Sequence, residues 1–293
     1  MNWAVGFIAK TRLQSGAGSE SKGKAGPPGL DSPKALKDAE NDSMRPLLAL
    51  LALLASVDCA RAQWSIFAEK LPAAGQWATY DIARTKPGEA TTHSTIRLSV
   101  RDGGMLREKP AIWLTVEPVT WLGSREKGAL RFLLPKDLSR EGANRLLESA
   151  AEILFTDPKK GPWHMTPEDV ASLASKAGYQ NTNTLSPDEL AEETIPVGGT
   201  PRRCQRLKME SFTIVDPPFV TKQTIILRGI VWRDDTQPFG VMQAKWSEKS
   251  IKGDKVATEE KVLTLTAQGK DETPPPPLDH GEEFSMWRLI FKR

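Results

Sequence analysis

Two cysteines, Cys59 and Cys204, are all the sequence holds. Once an export signal is removed only Cys204 remains, so no internal disulfide can brace the fold. The three histidines, His93, His164 and His280, have no partner at metal-ligand spacing, and the sequence implies neither a metal nor a cofactor. G-x-S-x-G, HExxH, P-loop and dinucleotide fingerprints are all missing, so no common hydrolase, phosphate or nucleotide chemistry is written here. No apolar run reaches the roughly 18 residues that a permanent transmembrane helix needs. Of 40 Lys/Arg and 37 Asp/Glu, 8 and 6 fall in residues 1–62, which leaves a net charge of +1 beyond them. With no arginine-rich stripe either, nucleic acid is not an expected partner.

What the sequence does have is an export signal in an odd place. In MRPLLALLALLASVDCARAQW, residues 44–64, Arg45 precedes 11 residues from Leu47 to Val57 that only Ser56 interrupts. Ala60-Arg61-Ala62 then supplies small residues at the two positions a signal peptidase reads. Asp58 stands where a lipobox needs a small residue, which argues against lipidation of Cys59. Residues 44–62 therefore read as a signal peptide and 63–293 as one exported domain, periplasmic or secreted. Residues 1–43, rich in Gly, Ser, Lys and Pro, read as a disordered or mis-assigned upstream segment.

Within 63–293 the hydrophobic period changes twice. Trp64, Phe67, Ala68 and Leu71 predict a short opening helix. Residues 76–84, 94–101, 111–119 and 129–134 alternate with period 2, which predicts antiparallel strands with one polar face. Asp102-Gly103-Gly104 is read as a hairpin turn between them. Residues 139–155 repeat apolar positions at i, i+3, i+4, i+7, i+8 and i+11, predicting one helix. Thr166-Pro167-Glu168-Asp169 opens a second with a capping-box arrangement, and Ser186-Pro187-Asp188-Glu189 a third helical turn. Strands resume at 203–214, 223–233, 239–246, 261–268 and 283–292, with Pro274–Pro277 a stiff surface connection. The fold class is α+β: a single strongly curved antiparallel β-sheet, an open half barrel, with two or three helices packed on its concave side.

Chemistry-bearing clusters are few. Asp234-Asp235 reads as a turn, Gly198-Gly199 as turn glycines, and Cys204 as a strand residue without a His/Asn partner. No catalytic residue is expected. The aromatic inventory is richer, with eight tryptophans beyond residue 62. Trp113, Trp232, Trp246 and Trp287 are the candidate ligand-binding residues, lining a groove for an apolar molecule if one sheet face is hollow.

Residues 193–243 carry a resemblance. Val197, Gly198, Gly199 and Cys204 lead one strand, and Trp232, Asp235, Pro238, Gly240 and Val241 precede the next. With the opening Gly75-Gln-Trp-Ala-Thr-Tyr80, this resembles uncharacterised exported bacterial proteins related to the LolA/LolB-like superfamily. The resemblance implies an open half barrel with helices across its mouth. It also implies an envelope protein taking a lipid or acyl ligand in the concave face. The expected function is an exported, non-enzymatic protein binding an apolar or amphiphilic ligand in the cell envelope. The alternative is a structural or protein-interaction module there, using a sheet edge or the proline loop to hold an envelope protein.

Overall fold

The computed structural model describes residues 66–120, 127–157, 161–218, 220–271 and 277–285. The signal-peptide reading, Trp64 and Trp287 lie outside them. Twelve strands form one sheet in the order β12-β6-β5-β4-β3-β2-β1-β11-β10-β9-β8-β7. Two sequential meanders are thus laid side by side. The first comprises β1 (Gln76–Thr85), β2 (Thr92–Leu106), β3 (Lys109–Thr120), β4 (Lys127–Pro135), β5 (Glu152–Asp157) and β6 (Gly161–Met165). The second comprises β7 (Gln180–Val197), β8 (Thr200–Val215), β9 (Gln223–Arg233), β10 (Val241–Lys252) and β11 (Lys255–Lys270). Antiparallel pairing of β1 with β11 joins them, Tyr80 opposite Leu265 and Ile82 opposite Leu263. The short β12 (Glu282–Glu283) runs parallel to β6, so the sheet is mixed at that edge. It curls without closing: β7, at the opposite edge, approaches β11.

Alternation along the strands decides which side chains the curl encloses. Ala78, Tyr80 and Ile82 of β1, Ile96, Leu98 and Val100 of β2, and Ile225, Leu227 and Val231 of β9 are all buried. β3 departs from the expected polar-faced strand, because Ala111, Trp113 and Thr115 on its outer face are buried as well. The turn expected at Asp102-Gly103-Gly104 is a bulge instead: pairing with β3 slips between Asp102 and Met105 and resumes with Met105 opposite Pro110 and Leu106 opposite Lys109. The chain reverses at Arg107 and Glu108, whose φ angles of 49° and 67° are those of a two-residue hairpin turn. The Gly198-Gly199 reversal stands where the sequence puts it, and the chain reverses again at Gly253-Asp254.

The helical middle is shorter than its periodicity suggests. The run 139–155 splits into α2 (Arg140–Asn144) and α3 (Leu146–Ser149), with Arg145 at φ −120° and ψ 47° between them. The rest becomes β5, whose Ile153 and Phe155 face the core while Leu154 faces the other way, so a strand buries all three. α4 (Pro167–Lys176) begins as read: Thr166 Oγ1 accepts from the Asp169 N–H at 3.2 Å, and Asp169 accepts from the Thr166 N–H at 2.9 Å. Ser186-Pro187-Asp188-Glu189 starts no helix. It forms part of β7, where a bulge between Pro187 and Glu192 sends Asp188 to Arg206 and Lys208 of β8.

Ala143, Leu146, Leu147, Val170, Leu173 and Ala177 from the helices join the alternating sheet residues in one core. The helical residues 66–68 (α1) enter the same core, with Phe67 packed at 4.9 Å on Tyr80 and edge-on at 6.5 Å to Phe239. Beyond β11 the chain reappears on the outer face of the first meander. His280 lies at 5.8 Å from the Trp113 ring, and Phe284 donates its N–H to His164 O at the β6 edge.

Candidate functional site

The four candidate tryptophans are not brought to one place. Trp113, 6% exposed on the outer face of β3, is covered by His280, whose Nδ1 lies 2.7 Å from Glu152 Oε1. Trp232, half-buried on the outer face of β9, donates from Nε1 to Glu193 at 2.7 Å and lies 5.9 Å under the Arg206 guanidinium. Trp246 points the opposite way, into the core from β10, and is 1% exposed. Gly229 sits across from it in β9, and a Cβ there would lie 2.5 Å from Trp246 Cβ. A residue with no side chain is what gives the indole its room. Trp287 lies outside the described residues.

Beside Trp246 the enclosed face carries charge. Lys261, opposite Trp246 on β11, is fully buried, and its Nζ lies 2.6 Å from Glu248 and 2.9 Å from Glu259. Arg84 of β1 binds the other side of Glu259. Two cations and two carboxylates thus neutralise one another on a face that is otherwise Ile82, Leu227, Ala244 and Leu263. Burial would raise the Glu259 carboxyl, but Lys261 and then Arg84 hold it net below the usual range. Sequence reasoning missed this cluster although its signal was present. Lys261 keeps step with Leu263 and Leu265, and Glu248 with Ala244 and Trp246, so the alternation already put both charges on an apolar face.

A second polar site lies at the other end of the sheet. Arg233, 4% exposed at the end of β9, donates to Ile66 O at 3.0 Å and to Glu69 at 2.7 Å, and Glu69 also binds Arg140. One carboxylate therefore ties α1 and α2 to the sheet. Arg233, Asp234 and Asp235 line an open cleft of about 460 Å³ with Ala191, Glu192, Arg203 and Gln205. Asp234 is committed to its turn, accepting from the Thr236 N–H at 3.0 Å and hydroxyl at 2.6 Å. Burial works against its ionised form, and the Thr236 bonds outweigh it to leave the carboxyl below its ordinary range.

The remaining candidates are bound into the fold. Cys204 is 1% exposed, and burial, with Asp234 nearby, pushes its thiol up to about 11, so it is protonated at neutral pH and no thiolate is at hand. Tyr80 gives its hydroxyl to Val241 O at 3.1 Å, and burial raises it well above the ordinary phenol range. His93 pairs with Asp81 at 2.8 Å on the surface, and His164 is half-buried in β6. Among the described residues no three His, Cys, Asp or Glu side chains stand close enough to hold a metal ion. No described helix is long and apolar enough to cross a membrane.

No protein-family model matches the chain, and no curated protein matches it. Solved structures do. A Bacteroides fragilis protein described as exported and of YmcC-like fold aligns at 9% identity and a TM-score of 0.31, covering 69% of this chain and 98% of its own. A LolA superfamily protein from Nitrosomonas europaea aligns at 11% identity and a TM-score of 0.23, covering 72% of this chain and 92% of its own.

Proposed function

We propose that this chain is an exported, non-enzymatic half-barrel protein of the cell envelope that takes an apolar or amphiphilic ligand, a lipid or acyl chain, against the enclosed face of its sheet. The observation that supports this reading is what covers that face. Among the described residues its apolar surface lies under short helices of 5, 4 and 10 residues, not under a second sheet. Helices so short have little stability of their own and are held by their apolar sides. The face is occupied by the protein's own side chains, Phe67, Tyr80, Phe132, Phe155, Trp163 and Trp246 among them. A ligand must therefore displace the helical cover, and the ties to be released are Glu69 to Arg140 and Asn183 to Asn144 O.

Native mass spectrometry of protein purified from envelopes tests this, with an acyl species retained in the gas phase as the expected result. Repeated purification without any co-purifying ligand, and no binding of added fatty acid or phospholipid, would remove the idea. The second reading is an envelope interaction module. It draws support from β7, an 18-residue strand that among the described residues pairs only with β8. Such an edge accepts an added strand, and in-cell crosslinking from Leu190 with no partner recovered would count against it.

A further inference from the structure

The enclosed face of the second meander changes character along its strands. Across β8 to β11 one row is Leu207, Val231, Ala244 and Leu263, apolar throughout. Two rows nearer the β10–β11 hairpin, Asn183, Ser211, Leu227, Glu248 and Glu259 stand opposite one another in turn across β7 to β11. The row after that is Asn181, Thr213, Ile225, Ser250 and Ala257. Period 2 gives all three rows the same side of the sheet. Exposure follows the same axis: Val231, Ala244 and Leu263 are fully buried, Ser250 is half-buried and Ala257 is exposed. The face is apolar deep inside and polar where it opens, which is the profile an amphiphile has along its own length.

At the β7 border these polar rows are uncharged. Asn181 Oδ1 accepts from Thr213 Oγ1 at 2.9 Å and from Ser211 Oγ at 3.5 Å, and both hydroxyl residues are buried. Asn183 donates from Nδ2 to Asn144 O at 2.9 Å, while its buried Oδ1 has no hydrogen-bond partner among the described residues. A buried acceptor left bare is a cost that a bound donor relieves. Lifting α2 to admit a ligand also takes Asn144 O away from Nδ2, so the same amide then offers one acceptor and one donor side by side. A hydroxyl meets both, whereas an ionised carboxylate or phosphodiester can only accept and an ammonium can only donate. The fixed charges agree. Lys261 and Arg84 are already matched by Glu248 and Glu259. Lys252 and Lys255, opposite each other at the hairpin tip, lie roughly 20 Å from Asn183 along the sheet.

From this geometry we infer that the enclosed amphiphile carries an uncharged, hydroxyl-bearing head of the glycerol-ester kind, seated on the Asn183 amide at the β7–β8 border, with its acyl chain running past Leu227 toward Val231, Ala244 and Leu263. The inference rests on the reading that the enclosed face takes an amphiphile, and adds which head it bears and which end of the face receives it.

Titration of delipidated protein with three probes of one chain length, read by native mass spectrometry, tests it. The probes are monomyristoylglycerol, methyl myristate, which keeps the ester without the hydroxyls, and myristate. The monoglyceride is expected to bind about tenfold tighter than either of the others. Asn183→Leu and Asn183→Ala, which both lack the amide, should each bring the monoglyceride and the methyl ester to within about twofold of one another. The ratio of the two affinities is the readout, because loosening α2 alters the binding of every probe alike. Unaltered far-UV circular dichroism establishes that the variants are folded. Equal binding of monoglyceride and methyl ester by the parent, tighter binding of myristate, or an undiminished ratio in a folded Asn183 variant overturns the inference and leaves the interior reading standing. If none of the three probes is bound, both fall.

Discussion

Replacing Lys261 by methionine leaves Glu248 about as buried as before, at 5% exposure, with its 2.6 Å partner gone. Removing one member of a buried pair strands the other charge out of water, which typically costs about 3–5 kcal/mol. For a domain of this size each kcal/mol moves the midpoint by about 2–4 °C, so a loss on the order of 10 °C is expected. The companion variant Lys261→Met/Glu248→Leu removes one charge of each sign. It keeps Arg84 on Glu259 and fills the space with apolar atoms, so it should return to within about 1 kcal/mol of the parent or exceed it. Urea unfolding followed by circular dichroism and tryptophan emission reads both, with unchanged m values showing that the comparison is of stability alone. Two results refute the reasoning. A single variant costing less than about 1 kcal/mol would put Lys261 in the class of solvated surface pairs. A double variant as weak as the single would mean that packing and not charge is what the lysine supplies.

Other outcomes follow from the same geometry. Gly229→Ala places a Cβ 2.3 Å from Lys245 O and 2.5 Å from Trp246 Cβ; a loss of at least about 2 kcal/mol is expected in urea unfolding, and unchanged stability would contradict the close approach. Because the folded Glu259 carboxyl titrates below its unfolded value of 4.5, its contribution is present at neutral pH. That contribution is lost as pH falls from about 4.5 through the lowered value. Glu259→Gln should therefore flatten the acid limb of the stability profile, and an identical limb in parent and variant would count against the network. Cys204, 1% exposed with its thiol raised to about 11, should react with a thiol reagent at pH 8 only as fast as the protein opens, whereas labelling within the mixing time would place it on the surface.

The sheet was legible wherever alternation had one apolar side: β1, β2, β4 and β9 sit where period 2 puts them. The middle was not, for reasons particular to its residues. Ile-Leu-Phe at 153–155 is apolar at consecutive positions, so helix and buried strand are indistinguishable by period, and both faces of the sheet proved able to bury it. Ser186-Pro187-Asp188-Glu189 has the local chemistry of a helix start. Arg206 and Lys208 on the neighbouring strand claim Asp188 instead, and such cross-strand partners leave no mark in local sequence. β6, five residues long with a proline, is too short to announce itself. The tryptophan grouping failed because residue type does not say which side of the sheet a strand presents. Parity does: Trp113 and Trp232 lie on the outer surface and Trp246 within.

The pairing of β1 with β11 means that each half of the sheet is built from neighbours in the chain, while the join between halves waits for residues about 185 positions apart to meet. Each meander can zip locally, and closing so long a loop is the slow event in assembling the whole. A chain cut between α4 and β7 would accordingly yield two fragments able to find each other along one long border. The second fragment would also lend β12 to the far edge of the first, a reciprocal clasp that makes reassembly from pieces a property of the topology itself.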